Sequence, residues 1–131
     1  MDKLSVVKIG GNVIEEETVL KSFLTDFAQM QGPKILVHGG GKKATAMAQQ
    51  LDIPVQMVEG RRITDDKNLD IITMLYGGKI NKSIVAQLQG IGCNAVGLTG
   101  ADGNAIQAIK RPLQTIDSGF VGCNRSKQRI F

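Results

Sequence analysis

At 131 residues the chain has the length of one domain, and its 42% hydrophobic content with 16 glycines fits an α/β protein with many tight turns. No apolar run approaches the roughly 20 residues of a membrane span, and the N-terminus lacks a signal-peptide pattern. We therefore expect a cytoplasmic protein with no membrane partner. The two cysteines, Cys93 and Cys123, are widely spaced and lack metal-ligand spacing, which favours reduced thiols and predicts no metal site.

The net charge of +4 is uneven along the chain. Arg125, Lys127 and Arg129 all lie within residues 123–131, and no acidic residue follows Asp117. Aromatic residues make up only 4% of the chain, so no stacking platform for unpaired bases is visible. We therefore expect no nucleic-acid partner, and we interpret residues 123–131 as a basic tail.

The first elements alternate between strand and helix. Residues 4–9 are predicted to form a buried strand, and residues 34–38 a second strand. Apolar spacing over residues 19–30 predicts a helix whose first turn contains the three glutamates of residues 15–17. Another helix is predicted over residues 42–51. This order indicates parallel strands that are joined by right-handed crossovers.

The pattern then changes to a hairpin and a long helix. Two short stretches on either side of Gly60 predict the hairpin, and Thr64 is predicted to cap the helix that runs to about Ile91. Gly77 and Gly78 interrupt this helix, either as a mild weak point or as a close helix–helix contact between subunits.

The region after the long helix is predicted to hold a strand and a turn. Residues 94–98 are predicted to form the strand, and residues 102–104 the turn into the apolar residues 105–109. No internal repeat and no low-complexity linker separates these segments from the rest.

Each of the first two predicted strands ends in a glycine turn. Gly10 and Gly11 follow the first strand, and residues 39–41 are all glycine after the second. Glycine lets backbone N–H groups approach an anion without a Cβ in the way. A helix that begins directly after such a turn adds a partial positive charge at the same place. The two turns therefore predict a site for a phosphorylated ligand.

Four side chains near these turns are candidates for chemistry. Lys8 lies in an otherwise apolar strand, where a ligand phosphate or a neighbouring carboxylate would balance its charge. His38 is either a general base or a structural histidine with its hydrogen bonds satisfied. Arg61 and Arg62 point to opposite faces of a strand, so that one faces solvent and the other binds a carboxylate. The residues alone leave open which arginine does so.

Several segments in a fixed order carry a resemblance to a known family. They are Val7-Lys8-Ile9-Gly10-Gly11, Val37-His38-Gly39-Gly40-Gly41, Gly60-Arg61-Arg62-Ile63-Thr64, Asp70-Ile71-Ile72-Thr73-Met74, Asn81-Lys82 and the stretch of residues 95–103. With this set, residues 1–122 resemble the amino acid kinase family. The resemblance implies a three-layer αβα sandwich with a mainly parallel central sheet.

Within this family the segments are most similar to enzymes that act on N-acetyl-L-glutamate. The resemblance implies that the γ-phosphoryl group of ATP, with Mg²⁺, is transferred to the side-chain carboxylate of this substrate in arginine biosynthesis. It implies that Lys8 stabilises charge on the moving phosphoryl group, while Gly10 and Gly11 line the phosphate track. The implied substrate-binding residues are Gly40, Gly41 and Arg62.

The family enzymes are considerably longer than this chain, and most of their nucleotide pocket lies in the second half. We interpret the chain as truncated, with a family-like part at residues 1–122 and the basic tail at residues 123–131, and we expect no turnover from it alone. One alternative is an inactive module that binds an acylated amino acid. Another is a kinase for a different acylated amino acid, such as N-succinylglutamate. A homodimer unresponsive to arginine is expected for the full-length enzyme.

Overall fold

In the computed structural model, which describes residues 3–112 and 116–124, the chain opens with two parallel strands. They are β1 (Ser5–Lys8) and β2 (Lys34–Val37). Lys8 lies opposite Val37, and the N–H of Ile9 donates to the carbonyl of Val37 at 2.9 Å. Because the strands are parallel and in register, the two glycine turns leave the sheet at the same edge.

The two faces of this strand pair differ in burial. Val7 and Leu36 pack against the core, whereas Val6 and Ile35 are 62% and 47% exposed. Lys8 lies on the exposed face. The prediction of a fully buried first strand was therefore wrong, because among the described residues the helices cover only one side of the pair.

Two helices connect the strands, and a third follows β2. They are α1 (Gly11–Glu15), α2 (Glu17–Gln29) and α3 (Gly41–Gln50). A single helix with three glutamates in its first turn was predicted where α1 and α2 lie. Glu16 instead has extended backbone angles (φ −88°, ψ 104°) and separates the two, so that only Glu17 lies in the first turn of α2. Both glycine turns lead directly into a helix.

The predicted hairpin is confirmed. Strand β3 (Met57–Val58) pairs antiparallel with β4 (Arg61–Arg62) across Gly60, whose φ of +74° favours glycine. The helix cap was wrongly assigned to Thr64, because Asp65 caps α4 (Asp66–Ile72) by accepting the backbone N–H of Asn68 at 2.8 Å.

The long helix continues through a π-helical segment (Thr73–Ile80) into α5 (Asn81–Gly90). A Cβ at Gly77 would lie 2.9 Å from Cγ2 of Thr99, whereas a Cβ at Gly78 would have nothing within 4 Å. Close packing inside the chain therefore explains Gly77. A contact between subunits stays a prediction for Gly78.

Residues 94–98 do not form the predicted strand. A cavity of about 390 Å³ is lined by residues of this segment and of β2, and among the described residues the segment has no ladder partner. Strands pair at about 4.8 Å, so an open cavity between two segments excludes ladder hydrogen bonds there. A 3₁₀ turn (Asp102–Asn104) follows at the predicted place.

The chain then forms a second antiparallel pair, β5 (Ala108–Lys110) with β6 (Gly122–Asn124). We call residues 94–112 and 116–124 the arm, and residues 3–93 the body. The arm meets the body at two places. Side chains of α5 donate to the carbonyls of Ala95, Gly97 and Leu98. Further along the chain an isolated bridge forms, in which Thr64 donates its N–H to the Ser118 carbonyl and accepts the N–H of Phe120.

The hydrophobic core lies entirely in the body and contains residues from every helix. Its buried members are Ile9, Ile14, Leu20, Leu24, Phe27, Ala44, Ala48, Ile71, Leu75, Ile80, Ile84 and Leu88. None of residues 94–112 or 116–122 is buried. Among the described helices, none has the length and apolar character needed to cross a bilayer.

Candidate functional site

Four backbone N–H groups at the glycine turns are without a hydrogen-bond partner among the residues that the structure describes. They belong to Gly10, Gly11, Gly40 and Gly41. Since α1 begins at Gly11 and α3 at Gly41, these donors have no intrahelical acceptor either. A set of free N–H groups at a helix start is suited to bind an anion.

A clamp holds the two helix starts side by side. The ammonium group of Lys42, in the first turn of α3, donates to Oδ1 of Asn12 at 3.0 Å and to Oε2 of Glu15 at 3.1 Å. Both acceptors belong to α1. The two glycine turns therefore face one region of the surface.

Lys8 adds a positive charge at the ends of the strands. Salt bridges in the described part of the chain join Lys42 to Glu15 and Lys110 to Asp117, and neither involves Lys8. The exposed ammonium group is therefore available to an anion. Because Lys8 is exposed, its charge needs no partner within the protein, and the expected burial of this lysine was wrong. The predicted role of Lys8 in binding a phosphoryl group does not depend on burial.

The structure distinguishes the two arginines of the hairpin. Arg61 is exposed. Nη2 of Arg62 donates to the carbonyl of Gly41 at 3.2 Å and to Oγ1 of Thr45 at 2.6 Å, both on α3. The guanidinium group of Arg62 thus lies beside the free N–H groups at the start of this helix.

Asn68 orients Arg62 and was not singled out from the sequence. Its side chain is 2% exposed, and its Nδ2 donates to the carbonyl of Pro54 at 3.0 Å and to Oδ1 of Asp65 at 2.9 Å. These two acceptors turn Oδ1 of Asn68 toward Nη1 of Arg62, 3.3 Å away. The backbone N–H of Asn68, and then its side chain, hold the pKa of Asp65 below its usual range.

Tyr76 is a second residue that sequence reasoning missed. A Cβ at Gly40 would lie 2.9 Å from Cε1 of Tyr76 and 2.5 Å from Cδ1 of Ile80, so a side chain here would have to displace these residues of the π-helical segment. Burial raises the pKa of Tyr76, and the charge of Arg62 partly offsets this shift. The phenol is therefore neutral at physiological pH. The four-residue spacing of Tyr76 and Ile80 indicated one helix face, but not which glycine that face would meet.

Both ring nitrogens of His38 lie near polar groups of the chain itself. Nδ1 is 3.1 Å from the carbonyl oxygen of Gly39, and Nε2 is 3.4 Å from Nδ2 of Asn81. This arrangement agrees with the structural interpretation of His38 and leaves no free ring nitrogen for a general base.

No group of three or more His, Cys, Asp or Glu side chains that could hold a metal ion occurs among the residues with described positions. We therefore assign no metal ligand to this part of the chain.

A lysine and four free N–H groups thus lie at the ends of two parallel strands of an α/β domain, and an arginine of the hairpin contacts the start of α3; groups of these kinds are suited to phosphoryl and carboxylate ligands. The model of the amino acid kinase family matches residues 3–129. The chain belongs to this family, and the predicted resemblance is confirmed.

Three bacterial acetylglutamate kinases illustrate the similarity. The enzyme of Phocaeicola vulgatus is 54% identical over 121 residues, which are 92% of this chain and 47% of that protein. The Bacteroides fragilis enzyme is 56% identical over 92% of this chain and 46% of its own length. The Cytophaga hutchinsonii enzyme is 58% identical, over 93% and 47%. The chain thus spans about half the length of the curated relatives it matches.

Solved structures share the fold at low sequence identity. N-acetylglutamate synthase from Neisseria gonorrhoeae, complexed with coenzyme A and N-acetyl-glutamate, matches 93% of this chain and 28% of its own, with a TM-score of 0.70 and 23% identity. A protein from Streptococcus mutans matches 91% of this chain and 48% of its own, with a TM-score of 0.67 and 21% identity. The α/β fold class of the family is confirmed.

Proposed function

We propose that this chain supplies the acyl-amino-acid-binding and phosphoryl-stabilising part of an acetylglutamate kinase. The reaction transfers the γ-phosphoryl group of ATP to the side-chain carboxylate of N-acetyl-L-glutamate in arginine biosynthesis. The observation that supports this proposal is that Lys8 and both glycine turns stand at the same ends of two paired strands, while Arg62 donates to the Gly41 carbonyl at the second turn. Similarity to acetylglutamate kinases at 54% to 58% identity supports it.

Phosphoryl transfer requires positioned charges and hydrogen-bond donors from the protein rather than a covalent bond to it. A phosphoryl group in transfer carries negative charge on its equatorial oxygens, and fixed donors stabilise this charge without reorganising. Lys8 is assigned this role together with the N–H groups of Gly10 and Gly11, which line the phosphate track. Mg²⁺ would accompany the nucleotide phosphates and supply further charge neutralisation.

The substrate is assigned to the α3 side of the site. Gly40 and Gly41 offer N–H donors to N-acetyl-L-glutamate and to the transferring group, and Arg62 binds the α-carboxylate. Asn68 and Thr45 already fix the guanidinium plane. A carboxylate would therefore meet a pre-oriented donor, which lowers the entropic cost of binding.

Isothermal calorimetry with N-acetyl-L-glutamate tests this assignment, and the neighbouring arginine supplies a matched control. A charge-assisted hydrogen bond contributes about 1.5–3 kcal/mol, so Arg62→Ala should weaken binding roughly tenfold or more. Arg61→Ala, one residue away on the exposed side, should change the affinity less than about twofold. Equal losses in both variants, or no binding by the parent chain, would refute the proposal.

The exposure of the arm favours a second function, the binding of an acylated amino acid without turnover. Because none of the described arm residues up to 122 is buried, the chain offers few enclosed surfaces for a nucleotide, which favours a module that binds the acylated amino acid without turnover. ATP titrated into the same protein separates the two functions. Weak or absent ATP binding and no acyl phosphate, assayed as its hydroxamate, support the module. Acyl phosphate formation by this chain supports a complete kinase.

Two finer points belong to the same proposal. The acyl group is assigned as acetyl, and N-succinyl-L-glutamate titrated in parallel tests this choice, since equal or tighter binding would reassign it.

The full-length enzyme is proposed to be a cytoplasmic homodimer. If Gly78 lies at the subunit contact, then Gly78→Leu should shift its sedimentation toward the monomer, whereas an unchanged assembly would rule this contact out.

A further inference from the structure

We infer that Asn81 is a positioning residue that locks His38 as the neutral Nδ1–H tautomer, and that this histidine in turn aims the N–H of Gly40 into the anion site. The inference rests on the proposed function, in which that N–H is a donor to substrate. It gives a physical reason for the Asn81-Lys82 pair, which the sequence singled out only by resemblance.

Asn81 is 8% exposed, at the start of α5. Its Nδ2 lies 3.4 Å from Nε2 of His38 and 3.4 Å from the carbonyl oxygen of Leu98. Its Oδ1 is buried and has no hydrogen-bond partner in the described part of the chain. This oxygen packs against Gly97, where a Cβ would collide with it. The position of the Asn81 side chain therefore depends on the absence of a Cβ at residue 97.

The Leu98 carbonyl decides which way the amide of Asn81 faces. A carbonyl oxygen only accepts hydrogen bonds, so the group of Asn81 that faces it must be the NH₂ donor. The same NH₂ group faces Nε2 of His38, which must then be an acceptor without a proton. A reversed amide would place two oxygens against each other and leave an NH₂ group buried against Gly97, which costs more than one unpaired oxygen.

The other ring nitrogen leads to the same tautomer. Nδ1 of His38 lies 3.1 Å from the carbonyl oxygen of Gly39, which again only accepts, so Nδ1 must carry the proton. The two contacts thus agree on a neutral ring with Nδ1–H. A general base would need one of these nitrogens released from its contact.

The contact with Gly39 sets the direction of the Gly40 donor. In a trans peptide the C=O and N–H groups point in opposite directions, so holding the Gly39 carbonyl on His38 points the N–H of Gly40 away from the ring. Tyr76 and Ile80 occupy the space that a Cβ of Gly40 would need, so these side chains lie close to the same turn. Asn81 and its neighbour Lys82, which donates to the Gly97 carbonyl at 2.8 Å, anchor residues 97–98 beside this turn.

The single histidine of the chain makes the tautomer directly measurable. In the ¹⁵N-labelled protein at a pH where the ring is neutral, a long-range ¹H–¹⁵N spectrum distinguishes a protonated ring nitrogen from a bare one. The expected result is a protonated Nδ1 and a bare Nε2. An Nε2–H tautomer, or a signal averaged over both tautomers, would overturn the inference, and this measurement needs no variant.

Asn81→Asp tests the coupling to the site. The change replaces the NH₂ group, with both of its N–H donors, by an oxygen that only accepts, with almost no change in shape. A proton should therefore bind Nε2 of His38, and the amide signal of Gly40 should shift. Affinity for N-acetyl-L-glutamate should fall about three- to tenfold, as expected when a donor loses its fixed direction. Gln87→Glu makes the same chemical change further along α5, where the side chain hydrogen-bonds to Ser83 and to no other described residue, and it should leave all three readouts unchanged.

The outcomes separate this inference from the function on which it rests. If the parent chain binds N-acetyl-L-glutamate but Asn81→Asp changes neither the tautomer nor the affinity, the positioning role is wrong. If the parent chain binds no N-acetyl-L-glutamate, the proposed function fails in this chain, while the tautomer measurement still decides the structural part. Should Asn81→Asp fail to fold, the tautomer of the parent chain remains the deciding result.

Discussion

The body and the arm of this chain are ordered by different forces. Every residue of the hydrophobic core lies in the body, between Ile9 and Leu88. The arm carries large apolar side chains too, but Val96 is 80% exposed and Phe120 55%. Hydrogen bonds join the arm to the body, from side chains of α5 to residues 95–98 and between backbone groups at Thr64, while Ala95 is the described arm residue that packs against the core. Apolar content alone therefore does not define a folding unit, and the candidate site, apart from the contacts of Leu98 and Gly97, is built on the body.

The largest expected effect comes from opening the core of the body. Leu24 is 1% exposed, and Leu24→Ala should lower the free energy of unfolding by about 2–5 kcal/mol, because it removes buried area and leaves a cavity. Val96→Ala, the same kind of truncation in the arm, should stay within about 0.5 kcal/mol. Urea unfolding measures both. Similar losses would mean that the arm packs into the same cooperative unit.

The next effect concerns the junction of the two regions. Gly119 has a φ of +71°, and a Cβ there would collide with the carbonyl oxygen of Thr64. Gly119→Ala should therefore detach residues 116–122 of the arm from Thr64 and leave the body folded. The measurement is amide hydrogen exchange, in which Phe120 should lose protection while core amides of α2 keep theirs.

Gly103→Ala is the matched control for this prediction. Its φ of +58° imposes the same left-handed conformation, but a Cβ there would have nothing within 4 Å. It should carry only the strain of that conformation, about 1–2 kcal/mol, and leave Phe120 protected. If Gly119→Ala left Phe120 protected as well, the bridge at Thr64 would not be what holds residues 116–122 on the body.

The secondary structure of the body was predicted better from the sequence than that of the arm. The apolar runs and the glycine turns that follow them were sufficient to predict β1, β2 and the edge that they share, because these features depend on neighbouring residues; the exposure of one face of the pair was not predicted. The contacts of Tyr76 with Gly40 and of Asn81 with His38 were not predictable, because each joins residues that are distant in sequence and depends on exact packing. Asn68 is close to Arg62 in sequence, but their contact depends on how the hairpin folds against α4. Residues 94–98 were predicted as a strand from their composition, but a strand also needs a partner at ladder distance, which composition does not supply.

The smallest expected effect is a difference between Asp65 and Asp102 in how much each makes the stability of the fold depend on acid pH. Backbone N–H contacts lower the pKa of Asp65 in the body and of Asp102 in the arm, from Asn68 and Thr99 respectively. A folded-state pKa below the unfolded value means that the carboxylate stabilises the fold above the unfolded pKa of about 3.9, and that this contribution is lost as the pH falls through the folded value.

Replacing each aspartate by asparagine exposes this difference. Asn also caps a helix but does not titrate, so Asp65→Asn should make unfolding less steeply dependent on pH below about 4. Asp102→Asn should leave that dependence nearly unchanged, because the arm contributes little to global unfolding. Thermal melts across an acid pH series measure both variants. A larger effect from Asp102→Asn would reverse the ranking of the two regions.

The most direct test of the candidate site is an NMR titration of the ¹⁵N-labelled chain with inorganic phosphate in the presence of N-acetyl-L-glutamate. We predict that the amide signals of Gly10, Gly11, Gly40 and Gly41 shift along one saturation curve, while the signal of Gly103 in the arm stays in place. Separate curves for the two turns, or no shift at either, would contradict a single anion site at the edge of this sheet.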